Sequence, residues 1–225
     1  MTIEVRVVTA PQALAAFPEF EDFIWGGDDE RVSVNVMVAV ISEGGVALGA
    51  YDGDRLVGSA FGFPAHEQRV LHSHYLAVHP DLRGSGLGER IKRAQAEWCR
   101  ANGYTAMRWT FDPLQLTNAH LNLNKLGAMG VSYHIDHYGA LGGINGSLPS
   151  DRLTVQWELV ADRPNFRETF VLDVPPVSPE QIAAAQPAAF AARLGVRDAM
   201  APHLADGWLV TSVDRQARTY TLSRT

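Results

Sequence analysis

The stretch DLRGSGLGERIKR, residues 81–93, limits the fold more than any other part of the chain. Three glycines, Gly84, Gly86 and Gly88, open a segment whose apolar residues Leu87, Ile91, Ala94 and Trp98 recur at helical spacing. A β-rich run, VLHSHYLAV at 70–78, leads into it. Strand, glycine loop and helix form an α/β arrangement in which unpaired amides and the positive end of the helix dipole converge on one point. The usual guest is phosphate. Four cations, Arg83, Arg90, Lys92 and Arg93, against one anion, Glu89, give this stretch +3 inside a chain of net charge −6. No Gly-Lys-Ser/Thr follows, which excludes a P-loop, and the glycines lack the G-x-G-x-x-G step of a dinucleotide site. The reading without a ligand is a turn that needs positive φ. Three glycines behind Arg83 favour phosphate.

Around this unit the chain reads as alternating elements. Ile3, Val5 and Val7 predict an opening strand, and Leu14, Phe17, Phe20 and Ile24 a helical arm. The run SVNVMVAVISEGG at 33–45 fits either a strand or a helix face of Val34, Met37, Val38 and Ile41 ended by Gly44 and Gly45, and the helix is preferred. VALGAYD and RLVGSAFGF flank Asp52-Gly53-Asp54, a hairpin signal. After the glycine loop come a helix ended by Gly103, a strand TAMRWTF at 105–111 stopped by Asp112-Pro113, a helix over roughly 118–126, and a strand RLTVQWELV at 152–160. The expected organisation is a main α/β domain over 1–160 and a connector over 161–180 holding Pro164, Pro175, Pro176 and Pro179. A C-terminal α+β extension over 181–225, one helix and two strands, is too small to hold a core alone. It should pack on the main domain or on a partner subunit, and a homodimer is compatible with this.

Composition excludes several classes. At net −6 no general basic field exists to attract nucleic acid or an anionic membrane. The longest uninterrupted apolar run, 36–41, is too short to span a bilayer, and the N-terminus has no basic start followed by an apolar segment. The single cysteine, Cys99, rules out an internal disulfide framework and fits a cytoplasmic location.

Arg83-Gly84-Ser85-Gly86-Leu87-Gly88 resembles the Arg/Gln-x-x-Gly-x-Gly/Ala motif of the GCN5-related N-acetyltransferases (GNAT). The likeness extends to Leu76-Ala77-Val78-His79-Pro80 before the loop and NLNKLGA at 122–128 after it, and covers roughly residues 3–160. It implies an α/β fold with a mixed, mostly antiparallel sheet flanked by helices. The implied activity is N-acyl transfer from acetyl-CoA or another acyl-CoA to a small-molecule amine, without a metal. Arg83, Gly84, Ser85, Gly86, Leu87 and Gly88 would hold the pyrophosphate. Leu76, Ala77 and Val78 would pair with the pantetheine arm like an added strand, one N–H meeting the thioester oxygen. Asn118 and Asn122, on a polar stripe, face CoA or solvent. SHYLAV with WTFDPL, NAHLNLNKLGA and SDRL at 150 is similar to a subgroup of bacterial acyltransferases associated with N-acylamino-acid metabolism, which points to an amino-acid acceptor.

Acyl transfer needs a neutral amine. Deprotonating a lysine-like amine at pH 7 costs about 4 to 5 kcal/mol, and an α-amino group near pKa 8 little over 1. His72 and His74 precede the expected thioester site on one strand face, so either is a candidate base, His74 the nearer; alternatively each is satisfied by hydrogen bonds in the sheet. The tyrosine that many relatives use to protonate the departing thiolate is replaced by Leu123, a core position. Tyr133 and Tyr138 are the replacement acids available, with Tyr138 preferred. The missing tyrosine also motivates an alternative, a non-catalytic acyl-CoA-binding or regulatory module. His134, Asp136 and His137 lie too close in sequence to make a closed metal site by themselves. Asp151-Arg152 either anchors an acceptor carboxylate through Arg152, with Asp151 fixing the guanidinium, or caps a turn.

Overall fold

The computed structural model describes residues 2–26, 31–139 and 148–225. The chain divides into two compact units, Met1–Arg108 with Leu159–Ala161, and Trp109–Glu158 with Asp162–Thr225. Both are mixed α/β and largely antiparallel.

In the first unit the order is β1 (Glu4–Val7), α1 (Pro11–Leu14), α2 (Ala16–Trp25), α3 (Val34–Ser42), β2 (Val46–Asp52), β3 (Arg55–Pro64), β4 (Val70–Val78), α4 (Leu87–Ala101) and the start of β5 (Ala106–Phe111). The strands lie in sequence order; the first three pairings are antiparallel and β4–β5 is parallel. The ambiguous run at 33–45 is a helix because Ser33 caps it, accepting from the Val36 amide. Leu14, Phe17, Met37 and Phe61 form its core with α1, α2 and α3.

One irregularity in β4 organises both faces of that sheet. Tyr75 lies opposite Phe61 and Ser73 opposite Gly62, so β3 skips His74. Such a bulge turns the strand over. Ser73, before it, bonds Gln95 and Lys92 of α4, whereas Tyr75 and Ala77, after it, pack on Trp25, Phe20 and Ile24 of α2. The buried stripe of α4 contains Leu87, Ile91, Lys92, Gln95 and Cys99, not the predicted Ala94 and Trp98. The reason is Ser73, which satisfies Lys92 and Gln95 beneath the sheet and turns two polar residues into core.

The second unit begins with the end of β5 and continues through α5 (Leu116–Ala119), a π-helical turn over His120–Lys125, β6 (Met129–His134), β7 (Arg152–Glu158), β8 (Glu168–Asp173), α6 (Pro179–Ala183), α7 (Pro187–Ala205), β9 (Leu209–Asp214) and β10 (Thr219–Arg224). Its strand order after β5 is β7-β6-β9-β10-β8, with antiparallel pairings. Gly130 permits the β6–β9 contact, since a Cβ there would come within 2.8 Å of Val210. Two strands were not expected. β6 interrupts a glycine-containing stretch, and β8 lies inside the anticipated connector as an exposed edge paired, among the described residues, to β10 alone. The C-terminal extension is not a separate appendage: Tyr220 donates to the Pro113 carbonyl at 2.6 Å, and α7 contributes two arginine–aspartate pairs to the same unit. Among the described residues no helix is long and apolar enough to cross a membrane.

Candidate active site

In the first unit, β4 ends at a 3-10 turn over Pro80–Leu82 and the glycine loop follows. Gly84 and Gly86 take φ of 77° and 87°, the left-handed region that side chains disfavour, and Gly86 is the N-cap of α4. A Cβ built on either glycine would meet nothing within 4 Å, so the space in front of the loop is open. Ser85 is committed locally, its hydroxyl donating to Leu82 O at 2.6 Å and accepting from the Leu87 amide at 3.4 Å. The amides of Gly84, Gly86, Gly88 and Glu89 have no partner among the described residues. Four open donors at the start of a 15-residue helix suit a pyrophosphate. The expected +3 is smaller in effect: Lys92 is buried under β4, Arg90 binds the Ile3 carbonyl and Arg93 pairs with Glu89. Arg83 remains exposed beside the glycines.

The edge of β4 that should receive pantetheine is also open. Its parallel ladder with β5 runs from Val70 to His72, opposite Ala106 to Arg108, so Leu76, Ala77 and Val78 pair with β3 on one side and, among the described residues, with no strand on the other. At the bulge, His74 reaches solvent yet lies among rings, with centroids 5.6 Å from Phe63, 6.0 Å from Tyr75 and 6.4 Å from Phe61. That burial lowers its pKa below the usual histidine value, which keeps the imidazole neutral at pH 7. His72 stacks on Phe63 at 4.8 Å. Of the two histidines, His74 is the one the bulge turns outward.

In the second unit the two tyrosines differ in their surroundings. The Tyr133 hydroxyl donates to Asp151 Oδ2 at 2.8 Å, and burial with this carboxylate raises its pKa far above the tyrosine value, so its proton is held. Tyr138 is half exposed, and its hydroxyl lies 3.2 Å from Thr110 Oγ1 on β5. Thr110 carried no signal in the sequence; the bond is visible only once β5 and the 135–138 turn are placed. Arg152, half-buried at the start of β7, holds its guanidinium 5.5 Å above the Tyr138 ring. Burial draws its pKa down from the arginine value, but Asp112 opposes this.

Asn122 is 1% exposed, accepts from the Trp109 indole at 3.2 Å and donates to Asn118 at 3.5 Å, so its side chain is placed inward on internal partners and not at the surface. The π-helical register over 120–125 turns it inward, whereas Asn118 remains exposed. Asp151 does not fix the Arg152 guanidinium. Its carboxylate is bound by Arg197 of α7, and among the described residues Arg152 reaches the Asp151 carbonyl alone, at 3.4 Å. His134 bonds Ser132 and Thr154, and Asp136 caps Ser150, which accounts for two of the three residues considered for a metal.

The acetyltransferase (GNAT) family profile matches residues 14–127. No curated protein matches the sequence. Among solved structures, the chain resembles yncA of Salmonella typhimurium, a candidate acetyltransferase determined with its cofactor acetyl-CoA, at 16% identity and a TM-score of 0.57, over 73% of this chain and 98% of that one. It resembles the ribosomal-protein-S18-alanine N-acetyltransferase of Escherichia coli at 12% identity and TM-score 0.57, over 74% and 100%. A phosphinothricin acetyltransferase from Sinorhizobium meliloti, in complex with acetyl-CoA, aligns at 18% identity and TM-score 0.56, over 73% and 94%. At these identities the likeness establishes the fold.

Proposed function

The chain belongs to the GNAT family of acetyltransferases, and on that premise we propose that it acetylates the amine of a small acceptor bearing a carboxylate, an amino acid or close analogue, from acetyl-CoA. The glycine loop, with Arg83 and the amides of Gly84, Gly86, Gly88 and Glu89, is assigned to the pyrophosphate. The open edge of Leu76, Ala77 and Val78 is assigned to pantetheine. Bound acetyl-CoA supplies the activated acetyl thioester. His74 is assigned to take the proton from the acceptor amine, a role that its depressed pKa suits because the imidazole is unprotonated near neutrality. Tyr138 is assigned to protonate the departing thiolate in place of the tyrosine that Leu123 replaces. Cys99 is buried and its thiol is pushed up to about 12, so direct transfer without an acyl-cysteine is the mechanism.

The observation that carries the acceptor reading is Arg152. A half-buried guanidinium with no carboxylate bonded to it among the described residues is suited to a carboxylate from outside, bound in fork geometry. The structural relatives do not choose for it, since one is named for a protein alanine and another for phosphinothricin. The test follows thiol release from acetyl-CoA with amino acids and with their carboxamides. Acids should be preferred, and Arg152→Lys should raise the acceptor KM about tenfold or more, the equivalent of one charge-assisted bond, with little change for acetyl-CoA. Equal rates for acid and amide would reopen the acceptor to polyamines, antibiotics and protein N-termini.

A further inference from the structure

We propose that Arg197, on the C-terminal helix α7, is a specificity-determining positioning residue: by saturating the Asp151 carboxylate it keeps the neighbouring Arg152 available for an acceptor carboxylate. This rests on the reading of Arg152 given above.

Asp151 precedes Arg152 in sequence, is fully buried, and would be the default partner of that guanidinium. A carboxylate has about four lone-pair positions. All four are taken. Oδ1 accepts from Arg197 Nη2 at 2.8 Å and from the Asp136 amide at 3.0 Å; Oδ2 accepts from Arg197 Nε at 2.8 Å and from the Tyr133 hydroxyl at 2.8 Å. Burial alone would raise the Asp151 pKa, but these donors hold it below the ordinary value, so the carboxylate is ionised. Arg152 is left with a carbonyl at 3.4 Å and the face of Tyr138.

One helical turn away the device repeats. Asp112, the other carboxylate whose charge acts on Arg152, is gripped in fork geometry by Arg193 through both carboxylate oxygens, and the same Oδ1 accepts from the Leu114 amide. Arg193 and Arg197 stand at i and i+4 on α7, so one face of this helix neutralises both acids that compete for Arg152. The turn over 135–138 joins the same hub: the Asp136 carboxylate accepts from the Ser150 amide, and the Ser150 hydroxyl accepts from the Tyr138 amide at 2.8 Å.

Removing Arg197 vacates two acceptor positions beside Arg152, which can then turn inward onto Asp151. Arg197→Gln should therefore lower the preference for an amino acid over its carboxamide, read as the ratio of kcat/KM, about tenfold, while the carboxamide rate stays within a few-fold of wild type. Binding of the N-acetylated acid against its amide, measured by calorimetry, should lose the same preference. In Arg197→Gln with Asp151→Asn the vacated carboxylate is gone while Arg193 still holds Asp112, and the preference should return. A merely structural arginine would depress acid and amide alike. Should Arg197→Gln fail to fold, Arg197→Lys carries the test: a lysine fills fewer positions on Asp151, so the preference should fall by a smaller factor. A folded Arg197 variant with an unchanged preference, or a double variant no better than the single, overturns the proposal. Arg152→Lys, measured alongside, separates the two levels. If it leaves the preference unchanged, the acceptor reading has failed; if it lowers the preference and Arg197→Gln does not, only the role of Arg197 has failed.

Discussion

Lys92 Nζ lies 2.6 Å from the hydroxyl of Ser73, which in turn donates to Gln95 at 2.7 Å, so the helix that starts at the glycine loop is tied from below to the strand that leads into it. Lys92 is 3% exposed. The bond sits one residue before the His74 bulge, and it fixes β4 where the strand changes face.

The burial of Lys92 gives a pH dependence of stability with a definite sign. Desolvation lowers its pKa to about 7 from an ordinary 10.5, so above pH 7 the folded chain holds a neutral amine while the unfolded chain holds a cation. The unfolded state then binds more protons, and stability rises with pH between 7 and 10.5. Below pH 7 the penalty is at its full size. Lys92→Met should stabilise the protein at pH 6, and the gain should shrink towards pH 10. Urea unfolding at pH 6, 8 and 10 measures this, and a variant less stable than wild type at pH 6 would show that the lysine contributes more through its bonds than it costs by its burial.

Gly86→Asp tests the glycine loop. A side chain at φ 87° is strained, and its carboxylate would enter the open space in front of the unpaired amides, where it opposes phosphate. Loss of even one charge-assisted bond, about 1.5 to 3 kcal/mol, weakens acetyl-CoA by about tenfold or more. Calorimetric titration of the folded variant is the measurement, and unchanged affinity would remove the loop from the cofactor site.

His74→Ala tests the base. Because burial among aromatic rings lowers the His74 pKa, wild-type turnover should fall only on the acid side of the ordinary histidine value, with a limb that titrates below pH 6.5. The alanine variant should be slower throughout, most severely where the acceptor amine is protonated, and should lack that limb. Acetyl-CoA affinity should be nearly intact. A variant with the wild-type pH profile would exclude the role.

The sequence revealed what depends on local chemistry and concealed what depends on pairing across the fold. Glycines at 84 and 86, the stop at Asp112-Pro113 and the hairpin at Gly53 were legible because each needs a backbone conformation that few residues supply. Lys92 and Gln95 lie outside the predicted apolar stripe of α4 because hydropathy ranks them as surface residues, and Ser73, nineteen and twenty-two positions away, makes them core. β8 was hidden because an edge strand with one paired side and mostly exposed side chains has no alternation to read. Asp151 and Arg152 looked like a pair because they are adjacent; the true partner is forty-six residues away. An arginine at i and i+4 on a helix with alanines around it was the available signal, and its meaning required Asp112 and Asp151 to be placed.

Tyr138→Phe and Tyr133→Phe, made side by side, test which tyrosine supplies a proton. Both substitutions remove one hydroxyl and keep the ring. At Tyr138 the lost group faces Thr110 at 3.2 Å on a half-exposed side chain, and the ring keeps its edge contact with His137 and its place under Arg152. Positioned acids contribute about 10²- to 10⁴-fold to rate, so Tyr138→Phe should lower kcat by about a hundredfold or more, with little effect on acceptor KM or thermal stability. At Tyr133 the lost group is one of four donors to a buried carboxylate, and an unsatisfied acceptor there costs about 1 to 3 kcal/mol. Tyr133→Phe should therefore unfold at lower denaturant concentration, with kcat within a few-fold of wild type when assayed well below its midpoint. Thr110→Val adds an internal check: without its partner the Tyr138 hydroxyl is free to rotate, and kcat should fall by less than in Tyr138→Phe. A Tyr138→Phe enzyme with wild-type kcat would show that the thiolate leaves without this acid.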